Sequence, residues 1–315
     1  MFFKSVDHVM EKLEAANYIA SKEIATVIFI AISTDKPVLV EGPAGVGKTE
    51  LAKALSDCMG RRLIRLQCYE GLDEAKALYE WEYAKQLLYT QMVKDRINTV
   101  IADTVSLSDA VDKIAAQEDA FFSERFIQPR PLLQAILSPE PVVLLIDEVD
   151  KSDPEFEAFL LELLSDFQVT IPELGTRKPV TIPFVFLTSN NYRDMSDALK
   201  RRCIHLYIDY PTPQREKEIV QRKLPHINQI LLDQIITSVN KIREMELKKS
   251  PCVSESIDWA RALMALGVKE LNDRHIMETL NVICKYQSDH NIVSHNLSQI
   301  LPQTKSCCIK AETIA

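Results

Sequence analysis

Basic residues are not in excess in this chain, glycine is scarce, and no apolar run is long enough to cross a bilayer. The 315 residues carry a net charge of −8, so nothing pulls the molecule as a whole toward nucleic acid or an acidic membrane. The two most apolar stretches are the start, Met1-Phe2-Phe3, and Ile24 to Ile32. Lys4 and Asp7 interrupt the first, and the second is about nine residues long against the roughly 20 a spanning helix needs. Neither reads as a signal peptide or a membrane segment, and the expectation is a soluble, cytoplasmic protein. Seven cysteines (Cys58, Cys68, Cys203, Cys252, Cys284, Cys307, Cys308) show no paired CxxC spacing. That counts against a disulfide framework or zinc site and favours buried thiols in a reducing compartment. Only the adjacent Cys307-Cys308 pair leaves metal binding open. An Asn-Lys-x-Asp guanine-reading motif is also missing, which counts against a GTPase. Internal repeats are absent, and with 46% hydrophobic and 26% charged residues the chain can bury a large core.

Strand and helix signals alternate along the first two thirds. Ser5 and Ser21 can cap helices, the first with Val6, Val9, Met10 and Leu13 at helical spacing, the second carrying the Ile24–Ile32 run. Pro37 to Glu41 reads as a buried strand, followed by a glycine loop and a helix through Cys58. Leu63 to Leu66 and Pro141 to Ile146 read as further strands, with a long helical region from Leu72 to about Ala135 inserted between them. Ser152-Asp153-Pro154-Glu155 has the spacing of a capping box opening a helix to about Phe167. Gln168–Ile171 and Pro179–Ile182 suggest a hairpin around Glu173-Leu174-Gly175-Thr176. Phe184–Thr188 and Ile204–Ile208 complete the strands. Tyr210-Pro211-Thr212-Pro213 marks a break, after which Gln214–Lys223, Leu231–Lys248, Ile257–Leu266 and Asp273–Tyr286 read as helices. The fold class expected is α/β, a parallel sheet flanked by helices, followed by a small helical domain. The divisions are residues 1–20 as an N-terminal helix, 21–212 as the α/β domain with its insertion at about 72–135, 213–289 as the helical domain, and 290–315 as a tail without periodicity.

The chemistry concentrates in Gly42-Pro43-Ala44-Gly45-Val46-Gly47-Lys48-Thr49, which fits G-x-x-x-x-G-K-[ST] at every fixed position; such a match arises by chance in roughly one chain in a hundred. Three of only seven glycines lie here, where positive φ angles turn backbone N–H groups inward. Such a loop cradles phosphates, Lys48 reaches the β- and γ-phosphates, Thr49 offers its hydroxyl to Mg²⁺, and Glu50 continues the segment onto the helix. ATP and Mg²⁺ are therefore the expected cofactors. Asp147-Glu148 ends an apolar strand. Alone, two acids there are more often a solvated turn; with the loop, Asp147 is placed to hold the metal through water and Glu148 to polarise the attacking water. Asn190 is a candidate to orient that water, or an asparagine favoured by turn geometry. Arg201 and Arg202, at a helix end, are candidates to reach a neighbouring subunit's γ-phosphate, or complements to the helix dipole. Tyr79, Trp81, Tyr83 and Tyr89 read more readily as core than as a client-contacting surface.

In their order, Gly42–Thr49, Leu145-Ile146-Asp147-Glu148, Thr188-Ser189-Asn190 and Leu199-Lys200-Arg201-Arg202 resemble the Walker A, Walker B, sensor 1 and arginine-finger elements of AAA+ ATPases. The phrases Val40 to Lys53 and Leu174-Gly175-Thr176-Arg177-Lys178-Pro179 are similar to the MoxR branch. Gln67 to Asp73, Tyr79-Glu80-Trp81, Phe126 to Leu132 and Ile257-Asp258-Trp259-Ala260 resemble CoxD-type members. The likeness covers roughly Ala20 to Gln287. It implies a hexameric, ATP-driven chaperone that matures a metalloenzyme client, with the molybdenum–copper centre of carbon monoxide dehydrogenase as the client of CoxD-type proteins. One departure is plain: where many AAA+ proteins carry a sensor 2 arginine, this chain reads Ser254-Glu255-Ser256, and Arg261 is either its substitute or a surface residue.

The resulting expectation is a ring-forming, Mg-dependent ATPase acting on a protein client, without nucleic acid. Two rivals stand beside it: a nucleic-acid remodelling motor, and a nucleotide-gated adaptor with little hydrolysis.

Overall fold

The computed structural model describes residues 2–92, 124–171 and 175–301. Contacts divide the chain into two compact units. One comprises Met1–Ala16, Ala20–Gly42 and Lys48–Tyr207; the other comprises Asn17–Ile19, Pro43–Gly47 and Ile208–Ala315.

In the first unit, helices α1 (Val6–Ala15) and α2 (Lys22–Ser33) start on Ser5 and Ser21. Each hydroxyl accepts a backbone N–H one turn on, from His8 at 3.1 Å and Ile24 at 3.2 Å, the contact that makes such caps worth about 1 kcal/mol. Then follow β1 (Val38–Glu41), α3 (Lys48–Met59), β2 (Arg62–Gln67), α4 (Glu74–Leu78), β3 (Tyr79–Trp81), α5 (Tyr83–Met92), β4 (Ile127–Pro129), α6 (Pro131–Ile136), β5 (Val142–Asp147), α7 (Pro154–Asp166), β6 (Val169–Ile171), β7 (Gly175–Arg177), β8 (Phe184–Ser189), α8 (Asp197–Arg202) and β9 (Ile204–Tyr207). Five strands form a parallel sheet in the order β2-β5-β8-β1-β9. β5 and β8 are buried at every position, which is why both are uninterrupted apolar runs up to their polar ends. β2 lies at an edge and alternates: Ile64 and Leu66 are buried, Arg65 and Gln67 exposed. Leu39, Leu144, Ile146 and Leu187 of the sheet join one core with Leu132 and Leu133 of α6 and Phe156 and Leu160 of α7.

The second unit contains α9 (Pro213–Lys223), α10 (Gln229–Arg243), α11 (Val253–Ala265), α12 (Asp273–Ile283), α13 (Gln287–His295) and α14 (Leu297–Ile300). Thr212, Asn228 and Asn272 cap the first, second and fourth of these. Its core gathers around the fully buried Trp259, whose indole N–H donates to Thr279 at 2.7 Å. A buried carboxylate, Glu216, is satisfied by Arg243 through two nitrogens at 2.6 and 2.8 Å and by the Ser256 hydroxyl at 2.7 Å. Removing one partner from such a cluster costs far more than the cluster contributes, because a charge is left buried alone.

Several local expectations are corrected. Tyr79–Trp81 is a strand, paired antiparallel with Ile127–Pro129, and interrupts what reads in sequence as one long helix; Tyr79 and Trp81 pack on the core while Tyr83 is exposed. The remainder of the insertion, 93–123, lies outside the described residues. The hairpin pairs Val169–Ile171 with Gly175–Arg177 rather than with Pro179–Ile182, since Pro179 and Pro183 have no N–H to offer a ladder. Ser152 does not cap α7: its hydroxyl donates to the Val149 carbonyl at 2.7 Å, and Asp153 is the N-cap residue before Pro154. α10 ends at Arg243, not Lys248. The stretch after 290 is helical to Ile300, with Val293 and Ile300 in the second unit's core; Cys307 and Cys308 lie outside the described residues. Among the described residues, no helix is long and apolar enough to cross a membrane.

Burial pushes the thiols of Cys68 and Cys203 up to about 12 and that of Cys284 up to about 11. Folding thus favours the protonated thiols. Their stabilisation is complete below the ordinary thiol value of about 8.5 and is lost as pH rises from there toward 12. Urea unfolding midpoints are expected to fall steadily from pH 9 to pH 11, and a Cys68→Ala/Cys203→Ala double variant to show a shallower fall.

Candidate functional site

The parallel register decides which side chains meet. Glu41 lies opposite Ser189 and Gln67 opposite Asp147, so β1, β2, β5 and β8 end level with one another. In an open parallel sheet this carboxyl edge is where ligands are held. β1 ends at Glu41, whose carboxylate is engaged by His205 at 2.6 Å, and the glycine loop leads directly into α3.

The loop backbone requires glycine. Gly45 has φ 76° and Gly47 φ 96°. A β-carbon on Gly45 would also lie 2.2 Å from the Cys252 sulfur, 2.8 Å from Cys252 Cβ and 2.9 Å from Ser254 Oγ. Lys48, at the first turn of α3, is buried, and its ammonium donates to the Gly42 carbonyl at 2.7 Å, closing the loop's two ends on each other.

Asp147 and Glu148 diverge at the end of β5. Asp147 is buried, with Oδ1 accepting the Thr188 hydroxyl at 2.5 Å and the Thr49 hydroxyl 3.1 and 3.3 Å from its two oxygens. Glu148 adopts a left-handed conformation, φ 56° and ψ 50°, unusual outside glycine and asparagine. Its backbone N–H donates to Thr188 Oγ1 at 2.9 Å. The Thr188 hydroxyl thus accepts from one acidic residue and donates to the other. The Glu148 carboxylate receives Asn190 Nδ2 at 3.0 Å, Gln67 Nε2 at 2.9 Å and Lys151 Nζ at 2.6 Å, and this pairing holds the Lys151 ammonium above its ordinary range. Asn190 is itself fixed: Asp150, also buried, accepts the backbone N–H groups of Asn190 at 3.0 Å and Tyr192 at 2.8 Å.

Thr49, Asp147, Glu148 and Asn190 therefore form one bonded cluster. Arg201 and Arg202 share no contact with it. Arg202 donates to the Ser165 hydroxyl at 2.6 Å and the Ala198 carbonyl at 3.2 Å, whereas Arg201 is exposed with no hydrogen-bond or ion-pair partner among the described residues. Arg261 pairs with Asp258 at 3.4 Å, both exposed. In place of a sensor 2 arginine, Glu255 closes a capping box on Cys252 and Ser256 serves Glu216. Sequence reasoning overlooked Arg65, Gln67, Asp150 and Lys151 as members of the site. The available signal was that Arg65 and Gln67 alternate with buried Ile64 and Leu66 at the end of a strand.

The donor set suits the groups expected here. Hydroxyl and carboxylate oxygens of Thr49 and Asp147 are hard ligands that fit Mg²⁺ completed by water and phosphate. Among the described residues no cluster of three His, Cys, Asp or Glu could hold a metal unaided. The glycine loop would take the phosphates through its N–H groups and Lys48.

Residues 37–203, more than half of the chain, match the family described as AAA domain (dynein-related subfamily). The chain belongs to this family. An uncharacterized protein of Staphylococcus saprophyticus is 25% identical over 240 residues, covering 74% of this chain and 77% of that protein. Protein NorQ of Paracoccus denitrificans is 24% identical over 218 residues, covering 67% and 66%. Among solved structures, the RuvB Holliday junction branch migration motor of Thermotoga maritima is similar at a TM-score of 0.47 and 16% identity, covering 90% of this chain and 73% of that one. Within the AAA domain, strand, glycine loop and helix are contiguous, and the ends of β2, β5 and β8 with the turn after β5 supply the rest of the site.

Gly45→Ala is expected to destabilise the protein by about 2 kcal/mol or more, from positive φ plus the clash with Cys252. Gly60→Ala, with φ 58° and nothing within 4 Å of the added carbon, carries only the backbone cost of about 1 kcal/mol. Denaturant titration of the two variants checks the difference.

Proposed function

We propose that this AAA-domain protein hydrolyses ATP with Mg²⁺ and, as a ring, couples the reaction to remodelling of a protein client. The observation that carries the reading is the bonded cluster of Thr49, Asp147, Glu148 and Asn190 at the carboxyl edge of the sheet. Thr49 and Asp147 would hold Mg²⁺, which would supply positive charge to offset that of the phosphates. Lys48, now on the Gly42 carbonyl, would meet β- and γ-phosphate oxygens, and the Thr49 hydroxyl, now on Asp147, would serve the metal. Asp147, kept in place by Thr188, holds the metal's water shell. Glu148, directed by its left-handed backbone, accepts the proton of the attacking water while Asn190 orients it. The exposed Arg201, or Arg202 once released from Ser165, supplies charge to a neighbouring subunit's γ-phosphate, and this requirement is what makes a ring, a hexamer in the resemblance, part of the proposal.

The finer reading rests on sequence phrases: the MoxR-like run Val40–Lys53 and the CoxD-like stretches Gln67–Asp73 and Phe126–Leu132. They support a chaperone that matures a metalloenzyme, with a molybdenum hydroxylase such as carbon monoxide dehydrogenase as client. Co-purification of molybdenum hydroxylase subunits with the ATP-trapped protein tests the client, and their absence leaves the broader chaperone reading. The rival adaptor has one observation in its favour, the engagement of Glu148 by both Lys151 and Gln67.

Glu148→Gln is expected to retain ATP binding while turnover falls by about 10²-fold or more, measured by phosphate release. A turnover unchanged by the substitution contradicts the assignment of Glu148. Arg201→Ala and Arg202→Ala are expected to leave ATP affinity intact, and the variant that loses turnover identifies the finger.

A further inference from the structure

Arg65 forms an ion pair with the buried Asp147. Its Nη2 lies 2.6 Å from Asp147 Oδ2 and 2.5 Å from the side-chain oxygen of Gln67. A guanidinium only donates, so Gln67 must turn its oxygen toward Arg65 and its amide nitrogen toward Glu148, where it donates at 2.9 Å. One guanidinium nitrogen thus holds the metal-binding carboxylate directly and the water-activating carboxylate through an amide. The setting is strongly negative: Asp147, Asp150 and Glu148 all add to burial in pushing the Cys68 thiol upward. Arg65 is half-exposed, so it can swing away at little packing cost.

We propose that Arg65 and Mg²⁺ compete for Asp147. The proposal rests on the ATP-site reading above. A metal that Asp147 holds through its water shell would draw Oδ2 away from the guanidinium, and the half-exposed Arg65 would swing out. Arg65 is a positioning residue in this scheme, acting through Asp147 and not on the reacting atoms.

The test is direct Mn²⁺ binding, followed by the paramagnetic resonance of the free ion, in the full chain with and without a non-hydrolysable ATP analogue. Arg65→Gln removes the charge and is expected to tighten Mn²⁺ about tenfold, since repulsion at such distances exceeds a factor of ten in affinity. Arg65→Lys keeps the charge and is expected to stay within about threefold of wild type. Unchanged or weaker Mn²⁺ binding in Arg65→Gln overturns the proposal. So does an equal gain in Arg65→Lys, which would assign the effect to packing and not to charge. Failure of the wild type to bind the analogue in EDTA would instead count against the ATP-site reading, and the titration without nucleotide still judges Arg65.

Discussion

The Thr188 hydroxyl is the interaction on which the rest of the site depends. It receives the backbone N–H of Glu148 and gives its own proton to Asp147, so one buried group fixes both the left-handed turn and the carboxylate before it. A hydroxyl can do this because it both donates and accepts. The requirement reaches back into the fold: β8 must lie beside β5, in parallel, and end level with it. Ile146 opposite Leu187 sets that register, and a slip of one residue would turn Thr188 to the other face.

Around that point the protein keeps its polar groups occupied. Asp150 secures the backbone of Asn190, Lys151 and Gln67 hold Glu148, and Arg65 holds Asp147. Buried or half-buried carboxylates left unpaired would be costly, and the same pairing fixes the geometry that ATP and metal would meet. Nucleotide binding on this account exchanges partners within an existing network: Lys48 gives up the Gly42 carbonyl, Thr49 gives up Asp147, and Arg65 yields to the metal. Such exchange costs little reorganisation compared with building a site from disordered side chains.

The parts that could be read in sequence are those where the chemistry demands rare residues in fixed order. Glycines at 45 and 47 are forced by positive φ, Asp147-Glu148 is conspicuous after six apolar residues, and Asn190 follows a strand of similar character. The parts that could not be read depend on neighbours distant in sequence. Arg65 and Gln67 look like ordinary exposed residues of an edge strand until the register sets Gln67 opposite Asp147. Tyr79–Trp81 is a strand only because Ile127–Pro129 pairs with it across a long insertion. Ser152 has capping-box spacing, but the tight turn after Glu148 brings the Val149 carbonyl within reach and takes its hydroxyl first. The helices after residue 287 are short, and their burial of Val293 and Ile300 comes from the core they join, with little amphipathic pattern of their own.

On the function proposed above, this cluster hydrolyses ATP only with a second subunit beside it. ATP turnover per chain, measured over a wide range of protein concentration with saturating Mg²⁺, tests it most directly. Turnover per chain is expected to rise with concentration to a plateau as subunits associate. Bound ATP that stays unhydrolysed at every concentration would contradict it.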